Sequence, residues 1–204
     1  MKIIDITHTL SETTCGFPIE PIPEFTTICD INKNCPVQVS KITLSTHAGT
    51  HVDAPRHYYK EGISIEKLPL ESFIGACVVI DVSHIESCSL EVSDIAHLEL
   101  RPRVLFKTRS SAMQHLSLSK ACVNYLGERE VRLIGTDTLS IDAMTSKNLP
   151  AHHACYTYSI QIMEYLNLKA VSPGFYTLIG LPLKLAGLDA SPVRAVLLPE
   201  GTYS

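Results

Sequence analysis

Three histidines and an aspartate fall within eleven residues, His47, His51, Asp53 and His57, in the run Ser45-Thr46-His47-Ala48-Gly49-Thr50-His51-Val52-Asp53-Ala54-Pro55-Arg56-His57. Imidazole and carboxylate are the ligands that borderline divalent ions such as Zn2+ and Mn2+ favour. His47 and His51 are four apart, which on a helix would put both on one face. Gly49, the β-branched Thr46, Thr50 and Val52, and Pro55 all oppose a helix. The pattern predicts a strand ending near Ser45 and then a tight loop, which Gly49 lets fold back so that the two imidazoles converge. His51 and Asp53, two apart, share a face of an extended segment. Pro55 stiffens the exit and sets where His57 points.

A second cluster lies downstream, at His152 and His153 after Pro150-Ala151, followed by Glu164. Of two adjacent histidines in an extended segment, one aims inward; the sequence leaves open which. Glu164 sits in the apolar run Ile160-Gln161-Ile162-Met163-Glu164-Tyr165-Leu166, where a buried carboxylate is costly unless paired or metal-bound. The two clusters together offer three histidines and two carboxylates as ligands, plus one spare histidine. Asp137, at the end of an apolar run, is a candidate to orient a ligand histidine, or else a turn cap. His8, His84, His97 and His115 lack such company and read as surface or structural residues.

The elements that must position these groups are mostly strands. Alternation or β-branched runs predict strands over residues 2–7, 25–31, 37–45, 76–82, 104–107, 131–135, 176–179 and 193–198. In 37–45 the apolar pattern shifts phase, suggesting a register break. Helices are expected over 120–127, capped by Ser119, over 93–97, and over 157–166, which would carry Glu164. There is no repeat and no Gly/Ser-rich linker, so residues 1–204 read as one α/β domain, strand-rich with few helices.

Composition narrows the partners. Of 204 residues, 45% are hydrophobic, enough for a substantial core. The net charge of −4 and the absence of any Lys/Arg cluster argue against nucleic acid and for a small-molecule substrate. No apolar stretch reaches the roughly 20 residues of a membrane span. The charged opening Met1-Lys2-Ile3-Ile4-Asp5 does not read as an export signal, which gives the cytoplasm as the expected compartment. Seven cysteines with no Cys-x-x-Cys pair do not suggest a disulfide framework, and Cys77 and Cys122 read as core thiols.

Residues 45–57 resemble the signature of the cyclase-like metal-dependent hydrolases, a family that includes the bacterial kynurenine formamidases (arylformamidases). The resemblance extends to Asp5-Ile6-Thr7-His8, to 63–70, to Ser146-Lys147-Asn148-Leu149-Pro150-Ala151-His152-His153, and to 181–187 and 191–195. It implies a swivelling β/β/α fold and a homodimer or larger homo-oligomer. It implies His47, His51, Asp53, His152 and Glu164 as ligands of one or two divalent ions, Zn2+ or alternatively Mn2+, and His57 as the acid/base. The implied reaction is hydrolysis of an N-formyl aryl amide such as N-formylkynurenine. The family carries a Trp in the N-terminal Pro-rich loop where this chain has Glu20. That departure favours, as alternatives, a non-aromatic amide, a lactam or a lactone. A non-catalytic metal-binding relative is the remaining reading.

Overall fold

The computed structural model describes residues 2–14, 16–17, 19–109 and 116–201. Among them, one nine-stranded mixed sheet organises the chain. Its strands are β1 (Ile4–Asp5), β4 (His51–Asp53), β5 (Ile74–Asp81), β7 (Arg103–Lys107), β9 (Leu133–Thr136), β10 (Gln161–Glu164), β11 (Gly174–Ile179), β12 (Ala190–Pro192) and β13 (Val196–Pro199). Their spatial order is β1-β13-β11-β5-β7-β9-β10-β4-β12, with β5, β7, β9 and β10 parallel and the flanking pairs antiparallel. The remaining strands are β2 (Glu24–Cys29) paired with β3 (Val39–Thr43), and β6 (Ser89–Leu90) paired with β8 (Ser117–Leu118). Three short helices complete the fold: α1 (Val92–Ile95), α2 (Lys120–Gly127) and α3 (Pro150–Thr157).

The expected strand over 193–198 begins only at Val196, as β13, which sits next to the edge strand β1, while β12, just before it in sequence, forms the opposite edge of the sheet. Only residues 193–195 separate β12 from β13, and three residues span about 10 Å at most. The sheet therefore curls until its edges meet. The Ile6 and Val193 N–H groups tie this seam by donating to the carbonyls of Ala195 and Thr50. The inside is filled by one side chain from nearly every strand, including Val52, Val79, Leu105, Leu133, Met163, Leu178 and Leu197. The outer face of the parallel strands, through Val78, Val104, Phe106, Ile134 and Ile162, packs on α2 and α3. Strands buried on both faces are apolar throughout, which is why 76–82 carries no alternation. The expected strand-rich α/β architecture with few helices is what the chain adopts.

Three expectations change. Residues 157–166 do not form one helix: α3 ends at Thr157, Ser159 turns the chain at φ 56°, and Gln161–Glu164 is the strand β10. The adjacent histidines lie on α3, not on an extended segment. The register irregularity of the β2–β3 ribbon falls on β2, between Thr27 and Cys29, not in the middle of β3. The cysteines depart less: Cys29 and Cys35 form one local disulfide at the β2–β3 connection, and Cys77, Cys122 and Cys155 are buried thiols. His84 and His97 are exposed, and His115 lies outside the described residues.

Candidate metal centre

Pairing between two short strands builds the centre. β4 runs antiparallel to β10 with His51 opposite Glu164 and Val52 opposite Met163. Val52 and Met163 face the interior, so alternation turns His51, Asp53 and Glu164 to the outer face. Directly opposed residues lie about 5 Å apart, which brings a ligand pair together across 113 residues of sequence. The loop before β4 bends at Gly49, whose φ of 65° would strain any other residue and whose Cβ position would press on the Leu10 side chain. α3 supplies the fourth group: its third residue, His152, points across the end of the sheet.

Asp53 is the hub. Its Oδ1 lies 3.0 Å from His47 Nδ1 and 3.4 Å from His51 Nε2; its Oδ2 lies 3.4 Å from His152 Nε2. The Glu164 carboxylate lies 3.6 Å from both His51 Nε2 and His152 Nε2. Asp53 is 2% exposed, yet neither of its oxygens accepts a hydrogen bond. A buried, unsatisfied carboxylate is expensive. Here the surrounding nitrogens are close but not directed along hydrogen bonds, the arrangement of lone pairs converging on a cation. The donors form three triads, His47–His51–Asp53, Asp53–His152–Glu164 and His47–His57–Asp189, each with ligand atoms within 4.8 Å of one another.

The far nitrogen of each imidazole is held. His51 Nδ1 lies 2.8 Å from the Gly49 carbonyl, to which it donates. His152 Nδ1 is 2.6 Å from Asp142 Oδ2, and His47 Nε2 is 3.1 Å from Asp189 Oδ2. Each bond fixes the tautomer that leaves His47 Nδ1, His51 Nε2 and His152 Nε2 with lone pairs toward Asp53 and Glu164. Asp142 also accepts from the Ala151 and His152 N–H groups, capping the start of α3 from outside the helix. Asp189 lies beside β12, next to Ala190, which pairs with Asp53, and accepts from Thr46 Oγ1. The Tyr58 ring meets the His152 ring edge-on, with centroids 5.0 Å apart.

The electrostatics match a site that demands positive charge. Burial pulls the imidazoles down, but Asp53 and Asp189 outweigh it at His47, raising it to about 9. Asp142 and Asp53 raise His152 to about 10. Burial, reinforced by the charge of Asp53, pushes Glu164 up to about 7. Burial alone would raise Asp53; the three imidazoles hold its carboxyl well below the usual range. The raised imidazole values report the negative charge gathered at this point, the charge that a divalent ion would balance while leaving the imidazoles neutral.

His57 stands apart. It ends a 3-10 turn (Pro55–His57) at the mouth of the cleft, with its ring 4.2 Å from that of His47 and 6.2 Å from that of His152. Its side chain is 35% exposed, and burial, with His47 and His152 nearby, lowers its pKa. The cleft of about 510 Å3 is lined by these groups and by Phe17, Glu20, Leu139, Met144 and Leu149. That size suits a small organic molecule.

All six candidate residues thus come together: His47, His51, His57, His152 and Glu164 line the cleft, and the buried Asp53 lies against His47, His51 and His152. His153 points elsewhere, toward the rings of Tyr58 and Tyr59. Asp137 orients no histidine: its carboxylate accepts from the backbone N–H and hydroxyl of Thr108, tying β9 to the end of β7. Asp142, Asp189 and Tyr58 went unread. The only sequence signal for Asp142 was an acidic residue a short way before a Pro-initiated helix.

The family model described as putative cyclase matches residues 4–143. The kynurenine formamidase of Maricaulis maris (strain MCS10) is 38% identical over 96% of this chain and 97% of its own length. A solved structure described as a potential metal-dependent hydrolase with cyclase activity superposes with a TM-score of 0.85 at 31% identity, covering 96% of each chain. Isatin hydrolase A from Labrenzia aggregata superposes with a TM-score of 0.83 at 25% identity, covering 98% of this chain and 94% of that one.

Proposed function

The chain belongs to the putative cyclase family, and from that premise we propose that it is a metal-dependent amidohydrolase that cleaves a small N-formyl aryl amide of the N-formylkynurenine type. The observation that carries the reading is the buried Asp53 carboxylate, with no hydrogen bond of its own and three imidazoles and Glu164 around it. His47, His51, Asp53, His152 and Glu164 would hold the metal. Asp53 belongs to two of the triads, which is compatible with one or two ions held by this donor set. The nitrogen and oxygen donors suit Zn2+ first and Mn2+ second.

When bound, the metal supplies Lewis acidity and a water acidified toward neutrality. The chain does the rest. His57, held neutral at pH 7 by its lowered pKa, takes the proton of the attacking water and returns it to the leaving amine. The apolar wall of Phe17, Leu139, Met144 and Leu149 takes the aryl or alkyl part and limits water access.

The likeness to isatin hydrolase A supports a second reading, opening of a cyclic amide by the same machinery. One panel separates the two. Protein stripped with EDTA and reloaded with Zn2+ or Mn2+ is assayed on N-formylkynurenine, formanilide and a set of lactams and lactones. Hydrolysis of the formyl amides that returns with metal supports the first reading. Turnover of the cyclic compounds alone replaces it with the second, and silence throughout leaves a non-catalytic metal-binding relative.

The β2–β3 ribbon supports a homodimer. Phe25, Ile28, Val39 and Ile42 are 40–64% exposed on it, and a lone two-stranded ribbon is barely stable in water. Among the described residues no helix is long and apolar enough to cross a membrane. The cytoplasm is the proposed compartment, in keeping with the exposed free thiol of Cys88; the Cys29–Cys35 disulfide is the feature that points the other way.

A further inference from the structure

Glu20 is a carboxylate on the cleft lining that the chemistry above does not use. It lies between Ile19 and Pro21, on the wall that also carries Phe17. Its backbone N–H donates to the Phe17 carbonyl at 2.8 Å, closing a turn that brings the side chain back over Gly16. Any side chain at residue 16 would collide with Glu20 Oε2, so glycine there is what lets the carboxylate lie where it does. Glu20 is outside all three ligand triads. The charges that weigh on it most are His47, His51 and Asp53, and Lys147 lines the same cleft. Burial raises its pKa, and the attraction of His47 and His51 does not offset that loss of water.

We propose that Glu20 is a specificity-determining residue that accepts a cationic nitrogen of the substrate, held in the cleft beside the scissile amide. The inference rests on the hydrolase reading and narrows its substrates to amides that carry an ammonium group. The physical reason is asymmetry. A partly desolvated carboxylate gains a charge-assisted bond from an ammonium, whereas an uncharged group of the same shape strips its remaining water and returns nothing.

The test compares two formanilides of equal shape, N-formyl-3-(aminomethyl)aniline and N-formyl-3-ethylaniline, on metal-loaded wild type, Glu20→Gln and Glu20→Lys. Wild type should prefer the cationic compound in kcat/KM by roughly 10–100-fold. The ratio should fall to near one in Glu20→Gln and invert in Glu20→Lys, with metal content equal in all three. A ratio unchanged in Glu20→Gln, or metal lost from that variant, overturns the assignment; lost metal would make Glu20 part of the metal site. Benzylamine and benzyl alcohol, titrated by NMR, give a second readout without turnover. Wild type should bind benzylamine more tightly, and Glu20→Gln should not. Should wild type hydrolyse neither formanilide, the hydrolase reading fails, while the benzylamine titration still decides for or against Glu20.

Discussion

Replacing Asp142 with Ala should weaken metal binding even though Asp142 is not among the proposed ligands. Its carboxylate, 2% exposed, does two jobs. It holds His152 Nδ1 at 2.6 Å, a charge-assisted bond in a buried setting worth about 1.5–3 kcal/mol. It also accepts the N–H groups of Ala151 and His152, each at 3.0 Å, a helix cap worth about 1 kcal/mol. The metal-free variant should therefore be roughly 2.5–4 kcal/mol less stable, a fall in Tm of roughly 6–15 °C for a chain of this size. The His152 ring, no longer held in one tautomer and one plane, should bind metal about 10–100-fold more weakly. Thermal unfolding in EDTA reads the first effect and competitive titration with a chromogenic chelator the second. Asp142→Asn keeps one acceptor and should fall between wild type and Ala on both. Metal affinity within about twofold of wild type in Asp142→Ala would refute the claim that this carboxylate aims His152, and would leave Asp142 as a cap alone.

Other perturbations separate the remaining roles. His57→Ala should keep its metal content and lose about two to four orders of magnitude in kcat; metal analysis beside steady-state kinetics checks both halves. Burial pushes the Asp137 carboxyl from 3.8 up to about 6. Because the folded value is raised, its contribution to stability is fully present below the unfolded pKa and is lost as pH rises through about 6. Asp137→Asn should thus gain on wild type by about 2–3 kcal/mol between pH 4 and pH 7, seen in urea unfolding; a difference that does not change with pH contradicts it. Phe25→Lys with Ile42→Lys should shift a dimer to monomer in analytical ultracentrifugation, because the two are paired across the exposed ribbon; an unchanged mass would place the contact elsewhere.

Much of the centre was legible because its chemistry is local. Gly49 between two histidines declared the turn, and the two-residue spacing of His51 and Asp53 declared their shared face. Glu164 was read as a ligand candidate on the wrong element. Gln161-Ile162-Met163-Glu164 is a short apolar run that periodicity does not divide between helix and buried strand, and pairing with β4 and β9 decided it. The error matters, since only a strand sets Glu164 opposite His51. α2 was legible to the residue because Ser119 caps it and accepts from the Cys122 N–H. α3 was not, because its N-terminal N–H groups are satisfied by Asp142, outside the helix, and Leu149 at φ 40° gives no capping signal. Asp142 and Asp189 act through contacts that only the folded chain creates. Likewise the curl of the sheet follows from β12 forming one edge and β13 lying beside β1 at the other end, which no local pattern in 190–199 announces.

Crystals of metal-loaded protein, with anomalous diffraction recorded at the Zn or Mn absorption edge, would examine the Asp53 hub itself. The account predicts an anomalous peak about 2.0–2.2 Å from an Asp53 oxygen and from imidazole nitrogens of His47, His51 or His152. A catalytically active protein whose bound metal gives its peak outside this cluster, with Asp53 ligating nothing, would contradict it.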